Sequence, residues 1–379
     1  MFRVKTLLVF ALIAALLLFS SLLTAGLADS GANHQVRNQH FGVSGGNVND
    51  ASTRFCCSGT LGSLVKIGST QYILSNNHVL GRSGAAVAGE DVSQPGLIDN
   101  NCRIATIVAD FTAAAPLGSS NVDAAIAQLR PGTMDSTGFI EDIGVPSTTT
   151  VNPAVGMSVA KSGRTTGFTT GSISSINTSV SVQYQQGCNS GKKFTVSYTN
   201  QVVINSSTFS AGGDSGSLIV TNNGQHNPVA LLFAGSSTTT IGNPINEVLS
   251  KLSAALGSTV TFNGVASTGG GGGHGRQTAQ DGEMGTPGPQ PFTPGIQSLM
   301  PQLPQQAADR VSAVLENHRA NLMFQPGVMG VGVGLSNHAD NEAAIVIYVN
   351  KDAAQKPFLP DSIEGIPVNV VLTDQFIAF

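Results

Sequence analysis

The stretch Ser210-Ala211-Gly212-Gly213-Asp214-Ser215-Gly216-Ser217 runs directly into the apolar Leu218-Ile219-Val220. One serine and one carboxylate stand between glycines at the mouth of a strand. Glycine has no Cβ and reaches backbone angles that other residues avoid, so neighbouring N–H groups there can converge on one point. Such a turn can hold an anion or present a nucleophile. A serine hydroxyl is a weak nucleophile, so Ser215 needs a base, and the base needs a group that holds its tautomer.

The candidate base is His78 in Leu74-Ser75-Asn76-Asn77-His78-Val79-Leu80, which follows an apolar strand. The other histidines lie elsewhere: His34 and His40 in the polar N-terminal lead, His226 in a hairpin turn, His274 in a linker, and His318 and His338 in a C-terminal unit. A carboxylate that orients His78 belongs at the edge of an apolar strand, and Asp123 in Asn121-Val122-Asp123-Ala124-Ala125-Ile126 fits better than Asp91, Asp99 or Asp110.

With these segments in the order His78, Asp123, Ser215, the sequence resembles the trypsin-like serine peptidases of the chymotrypsin clan. Within that clan it is similar to the secreted bacterial members and the narrow-leaf-type group. The other common serine-hydrolase signature requires Gly where Ser217 stands and places its acid and histidine after the serine. The resemblance implies a mainly β fold of two antiparallel barrels, about 42–150 and 151–262, with His78 and Asp123 from the first, Ser215 from the second and a substrate cleft between. It also implies an oxyanion hole made by the amides of Gly213 and Ser215. The activity implied is that of a serine endopeptidase acting on peptide or protein substrates without a cofactor. The alternative is a proteolytically idle relative that uses the same fold for binding.

Asp214 should point inward, where an unpaired charge is costly. Residues 161–167, Lys-Ser-Gly-Arg-Thr-Thr-Gly, resemble a segment of α-lytic-protease-like enzymes whose arginine pairs with the aspartate before the serine, which implies an Arg164–Asp214 ion pair. The substrate pocket implied by the resemblance has Phe209, Ser210, Ala211 and Gly212 on one side and Ala234, Gly235 and Ser236 on the other. Phe209 stands where an aspartate would select basic side chains, so a small or apolar preference is expected. Phe209 as a core residue is the competing reading.

Outward from this site, residues 42–262 consist of short Val/Ile/Thr/Ser-rich runs broken by Gly, Asn and Pro, the spacing of barrels or sandwiches. A helix is expected over Asn246–Leu256. Arg3 and Lys5 precede an apolar run that ends in small residues, the layout of a secretory signal peptide over 1–28. That layout predicts export, or attachment to the cell envelope and membrane if the segment is retained. Four cysteines, Cys56, Cys57, Cys102 and Cys188, allow two bridges in an oxidising compartment, with one of the adjacent pair reaching Cys102. None has metal-ligand spacing. A net charge of −4 offers no footprint for nucleic acid.

Residues 263–305 are rich in Gly and Pro and read as a linker. The remainder, 306–379, reads as a small α+β accessory domain, for which a ferredoxin-like arrangement suits the size and pattern. It has a helix at Ala307–Met323 and strands at Val328–Leu335, Ala343–Asn350 and Pro367–Leu372. The glycines at 330, 332 and 334 alternate with Val331, Val333 and Leu335, which predicts a strand face that admits a helix closely rather than a phosphate loop. His318 is expected in the core of this unit. Tethering predicts contact between it and the cleft.

Overall fold

The computed structural model describes residues 32–188, 190–266, 302–337 and 342–379. The expected leader, most of the linker, His274 and His338 lie outside the described residues.

The first barrel comprises β1 (Val43–Asn47), β2 (Gly59–Leu61), β3 (Ser63–Ile67), β4 (Thr70–Ser75), β5 (Asp91–Gln94), β6 (Thr106–Ala114) and β7 (Ala125–Leu129). Hydrogen bonding runs β3-β4-β7-β6-β5-β1-β2. Only Gly62 separates β2 from β3, so the two ends of this sheet are one bent strand and the barrel closes on itself. Closure leaves no unpaired edge. A short helix, α1 (Asn77–Leu80), follows β4 directly.

The second barrel repeats the device with β8 (Ser158–Gly163), β9 (Gly167–Ser172), β10 (Ser175–Gln185), β11 (Lys193–Asn205), β12 (Leu218–Thr221), β13 (Pro228–Gly235) and β14 (Thr239–Pro244). The order β10-β11-β14-β13-β12-β8-β9 closes because β9 and β10 are again one strand bent between Ser172 and Ser175. β13 is buried along its whole length, as its Pro-Val-Ala-Leu-Leu-Phe-Ala-Gly composition demands. α2 (Ile245–Leu256) starts after Pro244 and stops at Gly257, whose φ of 63° is left-handed. Its Val248 and Leu252 pack into the core of the first barrel, and β15 (Thr261–Phe262) then pairs with β3. The second barrel is thus strapped to the first.

Two disulfides form. Cys56–Cys102 lies within the first barrel, and Cys57–Cys188 crosses to the second.

The C-terminal residues form α3 (Gln305–Met323), β16 (Val328–Leu335), β17 (Ala343–Asn350), β18 (Ser362–Ile363), β19 (Ile366–Thr373) and β20 (Ile377–Ala378). They do not stand apart as the linker suggests: β16 pairs antiparallel with β10, with Ser175 opposite Gly334 and Val180 opposite Gly330, so the sheet of the second barrel continues outward through β16, β17 and β19. The ferredoxin-like expectation is not met. Among the described residues a single helix covers this sheet, and β17 and β19 are parallel neighbours. The glycine face is also corrected. α3 packs on the other face, where Val331 and Val333 join Val311 and Leu315. The glycines instead admit the body of β10: a Cβ on Gly332 would lie 2.3 Å from Thr178 Oγ1, and one on Gly334 2.6 Å from Ser174 O. His318 is partly exposed rather than core, with Nε2 at 2.7 Å from Glu364 Oε1.

Candidate active site

His78 sits on α1, immediately after the buried end of β4. Asp123, fully buried, precedes β7, the neighbour of β4 in the sheet. The pairing of these strands brings the two residues together. His78 Nδ1 lies 2.6 Å from Asp123 Oδ2, and the His78 amide donates to Asp123 Oδ1 at 3.2 Å. The carboxylate is held from a third side: the Tyr184 hydroxyl, from β10, donates to Oδ2 at 2.9 Å and stands 2.7 Å from the Tyr198 hydroxyl of β11. The amide of Asp123 donates to Asn243 Oδ1 at 2.9 Å. Neither tyrosine was singled out from the sequence, because each is an inward position of an alternating strand and nothing local sets it apart from core.

Burial pulls the His78 pKa down, but the adjacent Asp123 charge, the hydrogen bond to it, the hydrogen bond to the Phe379 backbone and the through-space effect of the Asp50 charge outweigh that and leave it raised. Asp50, which lines the cavity beside His78, is pushed up to about 6 by burial, against the opposing pull of His78 and Arg82.

Ser215 is fully buried at the barrel interface. Thr60 of β2 fastens its turn to the first barrel. The Thr60 amide donates to Ser215 O at 2.8 Å, the Thr60 hydroxyl donates to Gly213 O at 2.9 Å, and the Arg164 amide donates to that hydroxyl at 3.0 Å. The glycines of the turn are explained by this crowding. Gly213 has φ 98°, and a Cβ there would lie 2.5 Å from both Arg164 Nη1 and Thr165 Oγ1. Gly216 has φ 95°, and a Cβ there would lie 2.1 Å from Ser75 Oγ. In this arrangement Ser215 Oγ donates to Phe233 O at 3.1 Å rather than to His78, whose Nε2 faces Phe379 O at 2.9 Å.

The expected Arg164–Asp214 pair does not form. The Arg164 guanidinium turns to Asp99, with Nε and Nη2 each 2.6 Å from a carboxylate oxygen. Asp214 is instead 3.4 Å from the ammonium of Lys161 on β8, and both side chains are fully buried. Its oxygens also accept from the amides of Thr165 at 2.8 Å and Ala211 at 3.0 Å and from the Thr166 hydroxyl at 2.7 Å. A lysine inside a strand reaches a fully enclosed carboxylate, whereas Arg164 lies in the turn between β8 and β9 and reaches outward. Burial lowers the Lys161 pKa, and Asp214 opposes that fall.

Of the expected pocket residues, Phe209 is fully buried among Met157, Val159, Ile173 and Ile219, so its ring belongs to the core of the second barrel behind the pocket. Ser210 hydrogen-bonds to Thr240, and Ser236 Oγ lies 2.5 Å from Thr373 Oγ1. Ala234 and Gly235 pair with Ala378 and Ile377 of β20 and do not line the open cavity. A cavity of about 480 Å³ opens beside His78, bounded by Asp50, Cys57, Ser58, Arg164, Gly212 and Phe379, among others. Among the described residues no cluster of His, Cys, Asp or Glu could hold a metal ion, and no helix is long and apolar enough to cross a membrane.

Residues 64–242, which span most of both barrels, match the model of peptidase family S64. This match supports a trypsin-like serine peptidase. No curated protein matches the chain. Solved structures similar to it include a glutamic-acid-specific serine protease at 19% identity, covering 58% of this chain and 98% of that one with a TM-score of 0.40. Thermobifida fusca Protease A has 19% identity, 59% and 98% coverage and a TM-score of 0.38. Nocardiopsis protease has 19% identity, 51% and 89% coverage and a TM-score of 0.36.

Proposed function

We propose that this protein is an exported serine endopeptidase in which Ser215, His78 and Asp123 form the catalytic triad. The observation that carries the reading is the short His78 Nδ1 to Asp123 Oδ2 contact at 2.6 Å, on a histidine that shares the barrel interface with Ser215. Asp123 keeps the proton on Nδ1, which leaves Nε2 free to act as the base whenever a substrate is in place.

In the first half-reaction Ser215 Oγ attacks the scissile carbonyl carbon and its proton passes to His78 Nε2. The carbonyl π electrons move to oxygen, where the amides of Gly213 and Ser215 stabilise the charge. The C–N bond then breaks, and His78 gives the proton to the departing amine. In the second half-reaction His78 takes a proton from water as it attacks the ester, and the C–Oγ bond breaks as His78 returns that proton to Oγ, releasing the acid and restoring Ser215. Loss of one oxyanion donor typically costs about 100- to 1,000-fold in rate. The glycine at 213 serves this step, since only a residue tolerant of its backbone angle aims that amide into the cleft.

Lys161 holds Asp214 and so the shape of the turn carrying Ser215. An internal cation in that role supports activity without release of a new amino terminus. Two disulfides fit an oxidising compartment, which together with the leader-like 1–28 segment supports secretion. A fluorophosphonate probe tests the reading: labelling of the folded protein that disappears in Ser215→Ala is expected. Absence of labelling at any pH in correctly folded protein would favour a peptide-binding protein without hydrolytic activity.

A further inference from the structure

We propose that residues 377–379 occupy the acyl-side half of the cleft as a built-in peptide ligand, and that the enzyme prefers substrates with a large apolar residue, phenylalanine foremost, at the carbonyl under attack. This inference rests on the serine-peptidase reading above. Ala378 pairs antiparallel with Ala234, and Ile377 with Gly235. On its other side Ile377 pairs with Gln183 of β10. The Phe379 amide donates to Phe233 O at 3.3 Å, and Phe379 O accepts from His78 Nε2 at 2.9 Å.

An extended peptide added to the strand beside the nucleophile, with a carbonyl oxygen that takes the hydrogen bond of the base, lies where the acyl half of a substrate, or the product left from it, must lie, and keeps the base from the serine. The Phe379 ring lies over Gly235, where a Cβ would come within 2.6 Å of Cζ, and it packs against the cluster that contains Phe209. Apolar residues back the space the ring fills, so a charged side chain there would lose its solvation without a partner. Ala378 leaves no bulk beside His78. Gly235 is thereby a specificity-determining residue.

The ligand is anchored upstream. Phe376 is fully buried among Tyr184, Phe233 and Tyr348, and the Gln183 amide donates to Phe376 O at 2.9 Å. Asp374 is held by Lys351 at 2.8 Å and by the Ser237 hydroxyl. Because β16, β17 and β19 extend the sheet of the second barrel, this segment is presented at a fixed position rather than on a loose tether. It occupies the substrate's strand and engages His78 Nε2, so it competes with substrate. An intramolecular ligand works at an effective concentration on the order of millimolar. For a tripeptide of roughly 0.1 mM intrinsic affinity, that gives about tenfold inhibition.

The experiment compares the full chain with Phe379→Asp and, separately, Ile377→Asp; both side chains are at least partly exposed, so the fold is retained. The expected result is about tenfold faster fluorophosphonate labelling of Ser215 in both variants, and hydrolysis of an Ile-Ala-Phe anilide at least about tenfold faster than of the Ile-Ala-Asp or Ile-Ala-Lys anilides. Labelling in all three proteins at one rate overturns the built-in ligand and leaves the peptidase reading standing. Preference for the Asp or Lys anilide overturns the specificity. A binding measurement does not depend on turnover. On a Ser215→Ala background, calorimetry should detect acetyl-Ile-Ala-Phe binding with Phe379→Asp and at least about tenfold weaker binding without it. Equal binding overturns the proposal even if no protein is labelled.

Discussion

The Tyr184 hydroxyl donates to Asp123 Oδ2 across 2.9 Å, a bond from the second barrel to the carboxylate of the first. Asp123 thus accepts from the His78 ring, the His78 amide and Tyr184 together, and its orientation depends on both halves of the molecule. Tyr184→Phe keeps the ring packing and removes one charge-assisted hydrogen bond. The expected loss is about 1.4 kcal/mol in the transition state, or about tenfold in kcat, with KM little changed. Asp123→Asn should cost about 10,000-fold. Steady-state kinetics on one anilide substrate measures both.

The pH profile follows from His78. Its raised pKa means the base stays protonated, and unable to accept the Ser215 proton, to a higher pH than an ordinary histidine would. Activity should therefore fall as pH drops through a midpoint above the usual histidine value. Asp50 is one of the groups that raise it, so Asp50→Asn should move the midpoint of kcat/KM downward. An upward movement would show that Asp50 acts on the site by another route.

The buried Lys161–Asp214 pair should dominate the stability of the nucleophile turn. Lys161→Met leaves Asp214 as an uncompensated interior charge, at a cost of about 3–5 kcal/mol. Arg164→Ala breaks a pair nearer the surface and should cost less than half of that. Urea denaturation followed by circular dichroism separates the two. A larger loss at Arg164 would restore the assignment that the sequence suggested.

Cys57–Cys188 joins the barrels beside the cavity. Replacing both cysteines with serine should remove about 2–5 kcal/mol of stability and raise KM more than it lowers kcat, because the cleft wall loosens while the His78–Asp123 pair stays within one barrel. The corresponding change at Cys56 and Cys102 should lower stability with less effect on KM.

The strands are legible because their apolar runs are bounded by turn residues: Val328–Leu335 and Ala343–Asn350 keep the limits read from sequence. The bends at Gly62 and between Ser172 and Ser175 are not, since a strand that turns a corner keeps its pattern of side chains. The three residues read as chemistry-bearing stand out by type and local setting. Their supports do not: Tyr184, Tyr198, Asn243 and Thr60 are ordinary strand residues whose role comes from what folding places opposite them. Lys161 takes the place expected of Arg164 because two cations lie three positions apart, and the choice between them depends on which one the barrel encloses. His34 reads as a polar leader residue, yet it is buried, with Nδ1 at 2.8 Å from Gly42 O, a contact that only the closed first barrel supplies. The placement of Phe379 at His78 depends on strand addition between β10 and β16, which no local periodicity encodes.

Thr60 carries one implication for how the cleft can move. Its amide and hydroxyl hold Ser215 O and Gly213 O at the same time, so a hinge rotation of the barrels would pull directly on the Gly213–Ser215 turn. Opening the barrels to admit a bulky chain would therefore disturb the turn that carries Ser215. On the serine-peptidase reading, a chain laid lengthwise along the groove in extended form is the substrate such a cleft would take.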